Sequence, residues 1–418
     1  MVKKYSFPKG FYWGASTSSH QVEGHNTNDW TEWEQSEKRL KHLTETGQIE
    51  KYGKHTFVSG KAANHHHLFR DDFQLAKKLG HNSTRFSLEW SRIEPEEGRF
   101  SKKALDKYRD TITHLEETGI EPFVTLWHWT IPLWLRDKGG WSNPKVIAYF
   151  KRYVEEVMKV MGDKVRFWIT LNEPEIFTTQ SYLTGVWPPQ QKNPINYVRV
   201  FRHLIKAHVR VYPIIKQYNP EAQVGIAKNN IYFEAHTKHP INRLVKRAAD
   251  WWWNEHFLNQ INKWQDFVGL NYYFHNRTNF FMVRNENKRL SDLGWELHPE
   301  GIFHVLLDLQ KYNKPVYITE NGLADAEDKD RSWYIREILK NVHRAIEAGV
   351  DVRGYLHWSL LDNFEWHEGF KARFGLVEVD YETMERKPRK SALYYKEIAL
   401  NNILEETVEE EKYRSLRT

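Results

Sequence analysis

Cysteine is missing altogether from this chain of 418 residues. Its absence excludes disulfide frameworks, thiolate metal sites and cysteine nucleophiles together, and it suits a reducing compartment. Long apolar runs are missing as well. No stretch of about 18 apolar residues occurs, so no segment reads as a membrane span. The opening Met1-Val2-Lys3-Lys4-Tyr5-Ser6-Phe7-Pro8 has two lysines with no apolar region behind them. No signal peptide is therefore expected, and a cytoplasmic location is. The 61 basic and 55 acidic residues are interspersed, and the net charge of +6 gathers into no basic stripe of the kind nucleic acid recognition needs. There is no glycine-rich phosphate cradle, and no linker or low-complexity segment divides the chain. His65-His66-His67 falls inside a helical pattern, where successive side chains face different ways, so no shared metal site is expected.

What the chain does have is aromatic surface, with 18 Trp, 21 Tyr and 22 Phe. That is more than core packing usually demands, and it suits a site that stacks flat apolar faces. Apolar β-branched and aromatic runs alternate with stretches of helical periodicity along the whole length. The strands read as Phe11–Gly14, Ser83–Glu89, Pro122–Trp127, Val165–Asn172, Gln223–Ala227, Asp266–Asn271, Val316–Glu320 and Val352–Trp358. Helices are expected at about 64–79, 103–117, 144–161, 196–218, 241–260, 301–312, 332–348 and 390–404. Asn64 is expected as a cap, Pro144 as a first-turn proline, and 26–60 as a long loop. Eight strand–helix units predict one closed (β/α)8 TIM barrel, a single domain over residues 1–418, with a charged and frayed tail from about residue 405 that includes Glu409-Glu410-Glu411.

Two of these strands end on a carboxylate. Val316-Tyr317-Ile318-Thr319 delivers Glu320 ahead of Asn321-Gly322, and Phe167–Leu171 delivers Asn172 and Glu173 ahead of Pro174. Burying an ionised Glu is expensive unless something pairs with it. In a barrel of this kind both project from the C-terminal face, where functional residues gather. Two carboxylates on strand tips are what glycoside hydrolysis by a two-carboxylate mechanism requires. Other strands bring Arg85, His128, Asn271, Tyr273 and Trp358 to the same face, with Glu365 and Trp366 just beyond. Core packing has no need of such residues at so many tips.

These residues carry a resemblance. Thr170–Pro174 (TLNEP) and Ile318–Gly322 (ITENG) resemble the paired signatures of family 1 glycoside hydrolases, the β-glucosidase and β-galactosidase group. Phe11–Gly24 (FYWGASTSSHQVEG), Arg85–Ser91 (RFSLEWS), Leu126–Pro132 (LWHWTIP), Trp358–Trp366 (WSLLDNFEW) and Arg373–Asp380 (RFGLVEVD) extend it along the chain. The resemblance implies a retaining, exo-acting β-glycosidase acting on terminal β-D-glucosyl residues, and on galactosyl and fucosyl residues with them. Glu320 is then the nucleophile and Glu173 the acid/base, with Arg85, Asn172, Asn271 and Tyr273 in support. Gln21, His128, Glu365 and Trp366 resemble the hydroxyl-binding set and Trp358 the platform under the sugar ring, and Phe374 is expected to bind substrate with them. No metal and no cofactor is implied. The expected partners are small-molecule β-glycosides and oligosaccharides, with no nucleic acid or membrane, and oligomeric state is left open. The alternatives are a 6-phospho-β-glycosidase and a catalytically weak carbohydrate-binding relative. Two departures stand out. Thr130 stands where many members have Asp. The segment from about 229 to 266 is shorter than usual, which is expected to leave the barrel thinly covered and mobile there and to open a crevice.

Overall fold

Eight parallel strands close on themselves in chain order: β1 (Tyr12–Ser16), β2 (Ser83–Ser87), β3 (Glu121–Thr125), β4 (Phe167–Asn172), β5 (Gln223–Asn229), β6 (Val268–Asn271), β7 (Val316–Glu320) and β8 (Val352–Trp358), with β8 paired to β1. The computed structural model describes residues 2–280 and 282–407. It is the (β/α)8 barrel that the alternation of elements predicts, and each expected strand is one of its staves. The surrounding helices include His65–Lys78, Lys102–Thr118, Val146–Met161, Pro194–Tyr218, Gly301–Leu309, Arg331–Glu347 and Lys390–Asn401. Their ends follow local chemistry. Ser101 accepts a hydrogen bond from the Ala104 amide at the start of one helix, and Gly119 closes it in the left-handed conformation, which glycine adopts without a Cβ penalty.

Several expectations are corrected. The stretch 26–60 is not a loop but holds helices Asp29–Glu34, Glu37–Glu45 and Gln48–Tyr52. Asn28 and Thr31 form a reciprocal capping box for the first, and Ser36 caps the second. The segment is too polar for its periodicity to show. Asn64 precedes its helix in a left-handed conformation without a side-chain cap bond. Pro144 lies just ahead of the helix that begins at Val146 rather than inside it. Residues 405–407 are not frayed, because Ile403–Thr407 pairs antiparallel with Val2–Ser6 and Glu406 accepts from Tyr5 and Lys340. The remainder of that tail, 408–418, lies outside the described residues. The segment 241–260 is two helices, Pro240–Ala249 and His256–Ile261, joined by a π-helical turn at Asp250–Glu255.

Inside the barrel the side chains form two layers. The lower is apolar: Phe123, Phe167, Ile169, Ala227, Phe267, Tyr317 and Leu356 pack with Tyr12, and the Phe123 and Phe167 rings stack at 4.2 Å. The upper layer is polar and carries the site. Strict alternation would aim Asn172 and Glu320 outward, since Phe167 and Ile169, and likewise Tyr317 and Thr319, already point inward. The ladder slips between Ile169 and Asn172 on β4 and between Ile318 and Glu320 on β7. Slips of this kind re-aim a side chain at a strand end, and these two turn Asn172 and Glu320 into the barrel.

Gly322 is the other local requirement. A Cβ there would stand 1.8 Å from the Trp358 carbonyl oxygen, so β7 and β8 approach too closely for any side chain. Gly322→Ala is expected to lose about 1–3 kcal/mol of stability, read as a lower urea midpoint at unchanged slope.

Candidate active site

Arg85 is wholly buried on β2 and has a partner on three other strands of the barrel. Its Nε donates to Thr125 Oγ1 on β3 at 2.9 Å, Nη2 donates to Asn172 Oδ1 on β4 at 2.7 Å, and Nη1 donates to Glu320 Oε1 on β7. The Tyr273 hydroxyl, two residues past β6, donates to the other oxygen of Glu320 at 2.9 Å. Glu320 is therefore a carboxylate held by one guanidinium and one phenol.

Glu173 has a different environment. It takes a left-handed backbone conformation with φ of 41°, a strained state for a non-glycine residue that persists only where its surroundings impose it. Its amide donates to the Ala227 carbonyl at 2.8 Å. Its Oε1 accepts only amide donors, from Asn271 Nδ2 at 2.8 Å and Asn229 Nδ2 at 3.1 Å. Burial pushes Glu173 up, Glu320 adds to this, and its carboxyl reaches about 8. Burial raises Glu320 too, but Arg85 opposes it through charge and hydrogen bond, with Tyr273 and Asn271 adding to that opposition. Of the two carboxyls, Glu320 is the one held as an anion.

The guanidinium also fixes its neighbours. Because Asn172 Oδ1 faces Arg85, and Asn271 Nδ2 at 3.2 Å, the Asn172 amide nitrogen must point the other way. It donates to His128 Nε2 at 3.0 Å. Burial and the charge of Arg85 hold His128 far below the usual histidine range. It is a neutral imidazole whose Nδ1 carries the hydrogen, and Nδ1 is buried with no hydrogen-bond partner among the described residues. Thr319 Oγ1 donates to Asn271 Oδ1 at 2.7 Å, which orients that amide as well.

Above these groups lies a cavity of about 300 Å³ lined by residues that include Gln21, His128, Glu173, Tyr273, Glu320, Trp358, Glu365, Trp366 and Phe374. Arg85 and Asn271 lie beneath, bonded to the carboxylates, and Asn172 is bonded to both of them. All twelve residues expected from the sequence thus meet in one place. Gln21 Nε2 donates to Glu365 Oε2 at 3.3 Å and to Asn363 Oδ1 at 2.9 Å. Burial, then the charges of Glu320 and Glu368, push Glu365 up to about 8. Sequence reasoning missed Asn229, although an Asn closing an apolar strand repeats the pattern that marked Asn271. It also missed Ile176, on the short helix after Glu173, and Trp187, Phe274 and Trp295, which come from irregular segments that carry no periodic signal.

Thr130 now has a physical account. Its hydroxyl donates to Glu89, at 3.1 and 3.0 Å from the two oxygens, and Glu89 is wholly buried behind the cavity, accepting also from Ser19 and Ser91. The crevice expected in the shortened segment is present too. It is an open groove of about 790 Å³ between strand Tyr232–Ala235, helix Pro240–Ala249 and helix Gly301–Leu309.

The sequence model of glycosyl hydrolase family 1 matches residues 3–261 and 234–404. The chain belongs to glycosyl hydrolase family 1. Its two matched pieces overlap inside the shortened segment. β-Glucosidase A of Thermotoga maritima is 34% identical over 97% of this chain and 100% of its own length. The β-galactosidase of Pyrococcus woesei is 30% identical over 98% and 100%. Among solved structures, a β-glycosidase from Pyrococcus horikoshii superposes with a TM-score of 0.87 at 39% identity over 98% of both chains. The Thermotoga maritima β-glucosidase in complex with glucoimidazole gives 0.88 at 31% identity over 95% of this chain and 99% of that one. This family 1 member is an O-glycosyl hydrolase of the β-glycosidase class.

The Thr130 contact makes a prediction. Thr130→Val removes one hydrogen bond to a charged acceptor and is expected to cost about 1.5–3 kcal/mol. Thr130→Asp is expected to cost more, because two carboxylates would then face each other in a buried site. Thermal denaturation of both variants checks the order, and a Thr130→Asp protein as stable as the parent contradicts the donor role.

Proposed function

We propose that the chain acts as one catalytic domain, a retaining, exo-acting β-glycosidase with Glu320 as nucleophile and Glu173 as acid/base. The observation that carries this reading is the asymmetry between the two carboxyls. Glu320 is bonded to a guanidinium and a phenol, whereas Glu173 has only neutral amides and is pushed up to about 8. Two carboxyl groups with environments that separate their acidities are the signature of an acid and a nucleophile sharing one site.

The steps follow from that asymmetry. The Glu320 carboxylate attacks the anomeric carbon as Glu173 transfers its proton to the departing glycosidic oxygen. The bond to the aglycone breaks and a glycosyl ester to Glu320 forms. Water, deprotonated by Glu173, then attacks the same carbon and releases the sugar with its original configuration. The free Nδ1 hydrogen of His128 is placed to donate to a ring hydroxyl, and Gln21 and Glu365 offer a donor and acceptors at the closed end. Because Glu173 must be protonated in the first step, kcat/KM is expected to fall as pH rises through about 8.

Proton NMR is expected to show the β-anomer as the first-formed product, and an initial α-anomer would sink the assignment. Glu173→Ala is expected to reduce kcat/KM by about 10²–10⁴ for phenyl β-glucoside, and far less for the 2,4-dinitrophenyl glycoside, whose leaving group needs no proton. Glu320→Gly is expected to be nearly inactive with either, and azide is expected to restore part of the rate with inverted configuration.

Sugar specificity follows from charge. Among the described residues the cavity lining has no lysine or arginine, and the Glu320 anion is one of its walls. Lys371, the nearest candidate in sequence, pairs with Glu368 at 2.5 Å, and Arg373 is turned to Asp362 at 3.3 Å. A phosphate brings nearly two negative charges and needs donors or cations in place of its water. Neutral β-D-glucosides, with β-D-galactosides and β-D-fucosides, are therefore the proposed substrates, and the names of the relatives point the same way. Side by side, kcat/KM for p-nitrophenyl β-glucoside is expected to exceed that for its 6-phosphate by at least about tenfold, the equivalent of 1.4 kcal/mol. A higher value for the phosphate would overturn this specificity.

A further inference from the structure

Lys228 is wholly buried on β5 between Ala227 and Asn229, and the mechanism above gives it no task. Its ammonium donates to the Asn229 carbonyl at 2.8 Å and the Trp253 carbonyl at 2.6 Å, and it stands 3.3 Å from Glu175 Oε2 as an ion pair. Glu175 is buried as well, two residues beyond Glu173 on helix Pro174–Thr178. A buried ion pair adds little net stability compared with apolar packing, so the question is what this pair holds together.

It joins three segments. One is the end of β5 carrying Asn229, which donates to Glu173. The second is the short helix that begins immediately after Glu173. The third is the π-helical turn Asp250–Glu255 in the shortened crossover. Asn254 of the same turn closes the clasp from the other side. Its Nδ2 donates to the Ile231 carbonyl at 2.8 Å, and its Oδ1 accepts from the Ile231 amide at 2.9 Å. The backbone on both sides of Asn229-Asn230 is thereby fastened to one turn of the crossover. Any drift of the β5 end would withdraw a donor from the Glu173 carboxyl, and any drift of Glu175 would carry Glu173 with it.

We propose that Lys228, paired with Glu175, is a positioning residue for the acid/base, and that through it the π-helical turn of the crossover sets where Glu173 meets the leaving-group oxygen. The proposal rests on Glu173 being the acid/base. It assigns to the crossover a part in proton transfer, and to Lys228 no contact with substrate.

The test compares kcat/KM for phenyl and 2,4-dinitrophenyl β-glucosides in Lys228→Met and in the double variant Lys228→Met/Glu175→Gln, which leaves no unpaired buried charge. Both are expected to lose tenfold or more with the phenyl glycoside and less than threefold with the dinitrophenyl glycoside. In a Glu173→Ala background, adding Lys228→Met is expected to bring no further selective loss. Equal losses for the two leaving groups, or no loss in either variant, overturns the proposal. Where Lys228→Met alone does not fold, as judged by circular dichroism, the double variant decides. Failure of the underlying assignment looks different, because Glu173→Ala would then itself lose both activities equally.

Discussion

A buried guanidinium organises this site. Placing a cation inside a protein is costly, and attraction offsets that cost only when the geometry is good and every donor is met. Each nitrogen of the Arg85 guanidinium has an acceptor, on β3, β4 and β7. Its requirement for acceptors accounts for much of what surrounds it. Glu320 must be turned inward and ionised. Asn172 must offer its oxygen to Arg85 and therefore its nitrogen to His128. His128 must then carry its hydrogen on Nδ1, the side left free. One cation thus determines a charge, an amide orientation and a tautomer, none of which any of those residues would settle alone.

The layering of the barrel explains how this is tolerated. The aromatic layer of Phe123, Phe167, Phe267 and Tyr317 seals the interior beneath the charged groups. Above it, Nε, Nη1 and Nη2 of the buried Arg85 each have an acceptor. In this buried setting small differences in partner separate carboxyl acidities widely. Glu320 bonds Arg85 and the Tyr273 hydroxyl, whereas Glu173 is met by the amides of Asn271 and Asn229.

How much of this could be read from residues alone differs by level. The barrel was legible because eight apolar runs alternate with helical periodicity, and the carboxylates were legible because a charge at the end of a buried strand has no packing reason to exist. The aim of Asn172 and Glu320 was not. Strict alternation points them outward, and the slips in β4 and β7 that redirect them depend on pairing with neighbouring strands, which no single strand encodes. The three short helices within 26–60 were hidden by their polarity; caps at Asn28 and Ser36 and the buried side chains of Trp30, Trp33 and Leu43 hold the first two. Lys228 was visible in principle, since a cation inside an apolar strand asks for a partner as plainly as Glu320 does. Its partners, Glu175 and the Trp253 carbonyl, are brought to it only by the fold.

The same electrostatics bears on how one carboxyl serves two steps. Burial is the main reason Glu173 holds its proton near neutrality, and the charge on Glu320 is the next. On the proposed assignment, the first step converts Glu320 into an uncharged ester and consumes the proton of Glu173. The second reason therefore disappears at the moment Glu173 must change from acid to base. With no neighbouring carboxylate charge at Glu320, the Glu173 anion is easier to sustain, held by the amides of Asn271 and Asn229. When water displaces the ester, Glu320 regains its charge beside Arg85 and Glu173 is pushed back toward the protonated form. The proximity that makes the pair costly to bury is also what resets it, and Arg85 ensures that the charge returns to Glu320.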